Sequence, residues 1–415
     1  MSLLTLPRSR AIAWLALFTA IGIALVFLYP DSYQQDGGYH FQHCRWAWKY
    51  PGMFVSVWGR PLFTFLYSFP AFISYDATRI FNVLISTATA WQTWRLAKDL
   101  KLARAEFVIP LLFLQPSFFI LVPDLLTETL FALIFVIAIR LHLNGWIKVG
   151  MFVASLMILT RPEGFFLGAL WGVWVLFDRR LTQAWWKRIS SKLILASGAL
   201  MWWLAAYLIT GDALFIMHNW PREWHEGTYG RGFFGIYILR LPEIAGLLLS
   251  VPFIYGLVRL LRKSELVTLT SSFLLIFGLH SLFRTFGTFG DAGYPRYLVC
   301  VSPAIAIITL VGWEALSQSY QHYSMRTKTA LTSAVLIVSA ALCFLYMDGL
   351  VWIRDAHANR EMYAWFRAHE RPVARLVYSQ VYMGVLFDHD PVAQPQLTLD
   401  REENLRRVGN YPRGT

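Results

Sequence analysis

Charged residues are scarce in this chain of 415 residues, since Asp, Glu, Lys and Arg make up only 15% of it and hydrophobic residues make up 56%. Soluble domains usually carry about 25% charged residues. The composition therefore excludes a disordered chain and argues against an ordinary cytosolic enzyme. Only three cysteines occur, Cys44, Cys300 and Cys343, and they lie too far apart to indicate a disulfide framework or a CxxC metal site. Walker, GxSxG and HExxH motifs are also absent.

Long apolar runs dominate what is present. Four of them approach the roughly 20 residues that a helix needs to cross a bilayer, namely Ala11–Tyr29, Leu125–Leu143, Leu193–Thr210 and Ala330–Met347. Shorter apolar segments bring the expected total to about eleven transmembrane helices within residues 1–347. The sequence thus predicts an all-α polytopic membrane protein. No segment between the spans is long enough for a cytoplasmic nucleotide-sugar domain.

The formal net charge is +12, and its distribution predicts the orientation of the chain. Basic residues concentrate in alternate short loops, as in Arg95–Arg104 and Lys187–Lys192. Because such loops stay cytoplasmic, we expect a cytoplasmic N-terminus and an external C-terminus. The basic character then reflects topology and does not indicate a nucleic-acid partner. The first apolar run follows Arg8 and Arg10 like a signal peptide, but its length predicts a retained span.

The external face holds the least regular sequence. A first external loop over residues 30–79 contains two aromatic amphipathic stretches, Tyr39–Tyr50 and Pro61–Tyr75, which we interpret as helices lying on the membrane surface. Residues 348–415 have ordinary polarity and predict a small external C-terminal region. That region is too short for a core of its own, so we expect it to pack on the outer loops.

Asp36 opens the first external loop in the sequence Gln-Gln-Asp-Gly-Gly-Tyr-His. Two glycines after an acid allow close approach of a ligand and leave the carboxylate uncovered, as a general base requires. The alternative is a plain Asp-Gly turn. Tyr39 and His40 follow as candidate substrate ligands. His40, His43 and Cys44 also suggest a metal, but the cluster has no second half, so no metal site is predicted.

Two further external segments combine acids with arginine. Asp124 and Glu128 are four residues apart and share a helix face, where they either serve a site or cap the span. Arg161 and Glu163 lie in Thr160–Gly164 between two short apolar runs. Charges at such an edge are costly unless they pair or face a watery cavity. Arg161 and Glu163 therefore either belong to a functional site or form a structural ion pair with each other.

The last candidates lie in the two late external loops. Asp291, Arg296 and Tyr297 open a late span, where an arginine is placed to hold a lipid phosphate or simply to reach the interface. His218 and Arg222 lie in the loop Gly211–Leu241 as additional candidates.

In its order of motifs the chain resembles the GT-C superfamily of integral membrane glycosyltransferases, which includes the ArnT and protein O-mannosyltransferase groups. The likeness is carried by Asp36-Gly37-Gly38-Tyr39-His40, Arg60-Pro61-Leu62-Phe63, the Arg161–Gly164 turn and Arg296-Tyr297-Leu298. It implies a GT-C-like fold and a polyprenyl-phosphate-linked sugar donor. Many relatives carry an acid pair where this chain has Asp36-Gly37. This departure leaves metal dependence and the subgroup open. No cofactor is expected to be required, and Mg or Mn stays an alternative.

The resemblance implies an inverting hexosyl- or pentosyltransferase. The compact size and short loops favour a bacterial inner membrane over an endoplasmic reticulum. Asp36 would be the general base, and the donor phosphate would be held by Arg296, with Arg161 and Arg222 as further candidates. The candidate substrate ligands are Tyr39, His40, Asp124, Glu128, Glu163, His218, Asp291 and Tyr297. The acceptor would be a lipid, a glycan or a protein. Two alternatives stay open, a flippase or transporter for a lipid-linked glycan, and an envelope polysaccharide polymerase or ligase with a diphosphate-linked donor.

Overall fold

The computed structural model of the protein describes residues 7–29, 34–178, 192–221, 224, 227, 229–319, 322, 324–369, 376–394 and 397–399. These residues are predominantly helical. The α-helices are α1 Pro7–Leu28, α2 Gln34–Trp46, α3 Pro61–Ala71, α4 Tyr75–Asp99, α5 Val108–Phe113, α6 Pro116–Leu121, α7 Glu128–Leu143, α8 Ile147–Ser155, α9 Glu163–Phe177, α10 Leu193–Thr210, α11 Phe215–His218, α12 Ile236–Leu239, α13 Leu241–Ile244, α14 Ser250–Lys263, α15 Val267–Phe286, α16 Ser302–Ser319, α17 Met325–Asp348, α18 Val351–Ala368 and α19 Val381–Leu386. Short 3₁₀ helices cover Pro51–Val55, Ala105–Phe107, Leu156–Leu159 and Pro295–Val301.

Within the described residues, five helical segments are long and apolar enough to cross a membrane: Arg8–Leu28, Leu193–Thr210, Val267–Phe286, Pro295–Gln318 and Met325–Asp348. Two shorter apolar segments cover Ile147–Leu159 and Glu163–Phe177. This confirms the all-α polytopic membrane class. The expected total of about eleven spans stays a prediction, because several apolar runs form broken or short helices. One such run is divided into α5 and α6 at Gln115, since Pro116 starts a new helix.

The centre of the bundle is the segment Pro295–Gln318, which is mostly buried. Its helix α16 packs against α14 through two glycines at very close approach. A Cβ atom at Gly312 would lie 1.8 Å from the carbonyl oxygen of Pro252, and one at Gly256 would lie 2.1 Å from that of Ile308. Small residues let membrane helices approach this closely. The packing fixes the segment that also carries Arg296.

Arg79 on α4 connects the end of α1 to the segment that precedes α7. Its fully buried guanidinium donates hydrogen bonds to the carbonyl oxygens of Pro123 at 2.7 Å, Val26 at 2.8 Å and Tyr29 at 2.9 Å. Carbonyls at helix ends have no partner within the helix, so a guanidinium with several donors satisfies them at little cost. Arg79 thereby fixes the end of α1, shortly before Asp36, against the segment that precedes α7.

The region after α17 packs on the surface helix α2. It contains α18, α19 and a short parallel pair of strands, β1 Leu376–Tyr378 and β2 Leu397–Leu399. Asp388 binds Arg45 through both carboxylate oxygens, at 3.0 and 2.8 Å, and Asp390 accepts a hydrogen bond from Lys49 at 2.7 Å. The helix that carries Asp36 is therefore held from the C-terminal side.

Candidate active site

A cavity of about 360 Å³ opens where α2, α7, α9, the end of α15 and the 3₁₀ helix Pro295–Val301 meet. Charged side chains and histidines line one part of it: Asp36, His40, Arg60, Glu128, Arg161, Glu163, His280, Asp291 and Arg296. Aromatic rings line the rest: Trp58, Phe166, Trp224, Tyr229, Phe283, Phe289, Tyr294, Tyr297 and Trp352. Eight of the twelve candidate site residues predicted from the sequence, Asp36, His40, Glu128, Arg161, Glu163, Asp291, Arg296 and Tyr297, thus meet in one space.

Asp36 and Arg296 form an ion pair inside this cavity. The Arg296 Nη2 atom donates to the Asp36 Oδ2 atom at 2.6 Å, although the residues are 260 positions apart. The guanidinium lies over the rings of Tyr294 and Tyr297, with centroid distances of 5.4 and 5.7 Å. Only 10% of the Arg296 side chain is exposed, against 37% for Asp36. The arginine is thus fixed by its surroundings, whereas the carboxylate is accessible from the cavity.

Arg161 is held between two carboxylates. Its Nη1 atom lies 2.7 Å from Glu128 Oε1, and its Nη2 atom lies 2.7 Å from Glu163 Oε1. The turn that presents it depends on Gly164, where a Cβ atom would lie 2.4 Å from the backbone nitrogen of Ile158. The mutual Arg161–Glu163 pair, one of the two alternatives that the sequence left open, is present. Glu128 joins it from another helix.

His280 also lines the charged part of the cavity, and the sequence did not indicate this residue. Its Nδ1 atom lies 2.7 Å from Asp291 Oδ2, and its Nε2 atom lies 3.3 Å from Glu163 Oε1. Tyr237 donates a hydrogen bond to Asp291 from the other side at 2.8 Å. The available signal was a histidine within an apolar span, which is a candidate functional residue by default.

Arg60 is the second residue whose role the sequence analysis missed. It occupies a left-handed backbone conformation, with φ of 64°, immediately before Pro61 starts α3. Its guanidinium lies 4.9 Å from the ring centroid of Trp224. Burial, followed by the nearby Arg161 charge, lowers the pKa of Arg60 to about 10. The side chain therefore stays cationic at neutral pH.

His40 lies on the opposite wall, stacked on Trp58 with a centroid distance of 4.6 Å. Burial, with the charge of Arg60, lowers the pKa of His40 well below its ordinary range, so the ring is neutral. Its Nδ1 atom has no hydrogen-bond partner within the described residues. The neighbouring Tyr39 also contacts Trp58, with a centroid distance of 5.4 Å, but does not line the cavity.

Two other predicted residues within the described part of the chain do not line the cavity. Asp124 is buried and accepts a hydrogen bond from the backbone N–H of Leu125 at 2.6 Å. Leu125 precedes α7, and the N-cap residue Thr127 makes no side-chain capping hydrogen bond, so the capping alternative stays a prediction. His218 is exposed and pairs with Asp212 at 2.8 Å. Arg222 lies outside the described residues. Their roles as substrate or phosphate ligands stay predictions.

A second, apolar cavity of about 400 Å³ adjoins the first. Its walls come from the surface-loop segment around Val57, from α9, α10 and the short helix α11. Both cavities are lined by Arg60, Pro162, Phe166, Trp224 and Phe289. The apolar cavity thus borders the charged cavity, and Arg60 lies at the boundary between them.

Metal ligation has no obvious location in the part of the chain that the structure describes, since no group of three or more His, Cys, Asp or Glu side chains is arranged to hold an ion. In the cluster noted from the sequence, the Nδ1 atom of His43 contacts the carbonyl oxygen of Tyr39 at 2.9 Å. Cys44, Cys300 and Cys343 are buried free thiols. Independence from metal stays a prediction.

No family model matches the chain, and no curated protein matches it. Among solved structures the fold matches ArnT from Cupriavidus metallidurans bound to undecaprenyl phosphate, with a TM-score of 0.64, 13% identity, and coverage of 95% of this chain and 87% of that one. It also matches the apo state of the same ArnT, with a TM-score of 0.64, 14% identity, and coverage of 96% and 91%. The chain therefore shares the fold of this ArnT. At this level of identity the likeness concerns the fold.

Proposed function

We propose that this protein is a GT-C-type membrane glycosyltransferase that moves a sugar from a polyprenyl-phosphate donor to an acceptor hydroxyl. The observation that carries the proposal is the junction of the two cavities. A charged space with an accessible carboxylate and three arginines borders an apolar space, with Arg60 lining both. An amphiphile with a phosphate between an isoprenoid and a sugar has this same order of apolar, anionic and polar parts.

The donor is placed by matching those parts to the walls. The isoprenoid units nearest the phosphate occupy the apolar cavity, beside Trp202, Trp220 and Phe165. The phosphate lies at the boundary, where Arg60 and Arg161 supply positive charge. Guanidinium groups offer bidentate contacts to phosphate oxygens. The sugar then occupies the charged cavity near Asp36.

The reaction is a single displacement at the anomeric carbon. Asp36 accepts the proton of the acceptor hydroxyl while that oxygen forms a bond to the anomeric carbon. The bond from the anomeric carbon to the phosphate oxygen breaks, and its electron pair leaves with the polyprenyl phosphate. Arg296 and Arg161 stabilise the charge that develops on the phosphate. One displacement inverts the configuration.

The Asp36–Arg296 pair gives the proposed base its orientation. One oxygen of the Asp36 carboxylate is held by Arg296 at 2.6 Å. The other oxygen can face an acceptor hydroxyl. As phosphate charge develops, Arg296 can shift part of its interaction from the carboxylate to the leaving group, so the base becomes a better proton acceptor.

We also propose the side of the membrane on which this reaction takes place. Asp36, the first external loop over residues 30–79 and the C-terminal region 348–415 lie on the non-cytosolic side of a bacterial inner membrane, with the N-terminus inside. Lipid, glycan and protein acceptors, and hexosyl and pentosyl donors, remain the candidate classes. No metal is needed in this scheme, since guanidinium groups support the leaving phosphate.

The test uses the purified full-length protein with a polyprenyl-phosphate-linked sugar and a cell-envelope extract as the source of acceptor. We expect release of free polyprenyl phosphate, and its loss in Asp36→Asn with unchanged folding. Asp355→Asn, which removes an exposed carboxylate on α18 outside the cavity, is the matched control and should retain activity. Full activity in Asp36→Asn would refute the assignment of the base. Lipid movement across the bilayer without bond cleavage would instead support a flippase.

A further inference from the structure

The imidazole of His280 contacts two carboxylates from different parts of the chain. Nδ1 lies 2.7 Å from Asp291 and Nε2 lies 3.3 Å from Glu163. The ring stacks on Tyr297 with a centroid distance of 4.8 Å and an interplanar angle of 12°. The His280 side chain is 5% exposed. A buried imidazole in such surroundings has a fixed orientation, so its protonation state can be argued from its neighbours.

Asp291 already accepts two other hydrogen bonds, from the Tyr237 hydroxyl at 2.8 Å and from the backbone N–H of Gly293 at 2.7 Å. As an ionised carboxylate it offers only acceptors, so the Nδ1 atom of His280 must donate to it. A neutral imidazole has a single N–H and would then turn the Nε2 lone pair towards the Glu163 carboxylate. Protonation of both nitrogens makes both contacts attractive.

The charges of the cavity lead to the same assignment. Within the described residues the lining contains four carboxylates, Asp36, Glu128, Glu163 and Asp291, and three guanidinium groups, Arg60, Arg161 and Arg296. A neutral His280 leaves the lining with one excess negative charge, whereas an imidazolium balances it. A bound phosphate adds further negative charge, which in a partly dry cavity is strongly disfavoured without compensation.

His280 also affects Arg161 through a shared partner. Glu163 Oε1 lies 3.3 Å from His280 Nε2 and 2.7 Å from Arg161 Nη2. A positive charge on His280 holds Glu163 in place from the far side. The imidazolium also interacts with the same carboxylate oxygen as Arg161. The attraction between Arg161 and Glu163 is then weaker, and Arg161 can interact more strongly with a phosphate.

We propose that His280 is a positioning residue, held as an imidazolium between Asp291 and Glu163, whose charge lets the cavity accept an anionic polyprenyl-phosphate donor. The inference rests on the proposed function. It adds a residue that acts through Glu163 and Arg161 and takes no part in bond cleavage.

The test measures binding of undecaprenyl phosphate to the purified full-length protein by native mass spectrometry, with thermal unfolding as the readout of folding. For His280→Gln we expect binding to weaken about tenfold, and the donor KM to rise more than kcat falls. His142→Gln is the matched control, because His142 is a buried histidine that lies 3.5 Å from Asp178 and outside the cavity lining. It should bind as the wild type does.

The outcomes separate the two proposals. A wild-type protein that binds no polyprenyl phosphate contradicts the proposed function. A wild type that binds, with equal binding by His280→Gln, overturns the inference about His280. If the variant does not fold, nitrogen NMR of the histidine-labelled wild type decides, with the His280 signal assigned through its contact with Tyr297. Two protonated ring nitrogens at neutral pH support the inference, and a neutral tautomer overturns it.

Discussion

Arg161 lies 2.7 Å from Glu128 and thereby joins the turn before α9 to the first residue of α7. Glu128 has 1% of its side chain exposed, and its second neighbour is Arg296, whose Nε atom lies 4.0 Å from it. Two of the three arginines assigned to the donor phosphate thus share one buried carboxylate. Loss of either arginine should alter the position of the other, which makes their effects on activity non-additive.

Arg296→Gln should lower kcat by about 10²–10³, because a preorganised cation that meets developing charge contributes on this scale. The Asp36 carboxylate also loses its orienting partner at 2.6 Å. The measurement is release of polyprenyl phosphate under saturating donor. Arg240→Gln is the control, since Arg240 pairs with Glu243 at 3.3 Å away from the cavity lining. Equal rates for the two variants would contradict the role of Arg296.

Arg60→Gln should raise the donor KM about tenfold with a smaller change in kcat, because Arg60 lies where the two cavities meet and is not assigned to the charge that develops in the proposed reaction. Arg60→Lys should recover part of the affinity, since it keeps the charge but loses the planar contact with Trp224. Initial rates over a range of donor concentrations check both. Lys98→Gln provides the control, as Lys98 lies 5.1 Å from the Trp94 ring outside both cavities.

Gly164→Ala should destabilise the protein by about 1–3 kcal/mol, the usual cost of inserting a methyl group into filled space. The new Cβ atom would lie 2.4 Å from backbone at Ile158, which cannot move aside as a flexible side chain would. The same displacement should move Arg161 and reduce activity. Gly168→Ala on the same helix has no atom within 4 Å of its Cβ and is the control. Thermal unfolding of both variants in detergent measures the difference in stability. Similar unfolding midpoints for Gly164→Ala and Gly168→Ala would contradict this prediction.

Acidification should loosen the C-terminal region from α2. Burial raises the pKa of Asp390, but hydrogen bonds from Lys49 and the backbone N–H groups of Ala393 and Val392 outweigh it and hold that pKa well below its usual range. A depressed folded-state pKa gives stability that is complete above the unfolded value of about 4 and is lost as the pH falls below it. The protection factors for hydrogen exchange over residues 376–394, which are corrected for the intrinsic pH dependence of exchange, should therefore fall below about pH 4.

The control for this pH dependence is Asp355→Asn, which changes an exposed carboxylate on α18. It should leave the exchange profile unchanged, whereas Asp390→Asn should accelerate exchange already at neutral pH and flatten the profile. Exchange in Asp390→Asn that matches the wild type at every pH would show that the Lys49–Asp390 contact does not hold the region.

Much of the candidate site was predictable because its residues stand out against an apolar background. Asp36, Arg161 and Arg296 are charged groups next to long hydrophobic runs, where each charge is costly unless a partner or a cavity receives it. Their common location followed from the alternation of spans and loops. The sequence does not single out His280, because its helix has the composition of an apolar span. Arg60 is recognised only as part of a motif, which assigns no role to its charge.

The sequence by itself determined the membrane class, since apolar runs of bilayer length and a low charge content leave no other folded solution, and it indicated which acids and arginines to examine. Only the tertiary structure decided their partners: Asp36 with Arg296, Arg161 with Glu128, and His280 with Asp291. It also kept Asp124 and His218 out of the cavity. The physical reason is that helix packing, through contacts such as Gly256 and Gly312 against the backbone, sets which distant segments meet, and no local pattern encodes that distance.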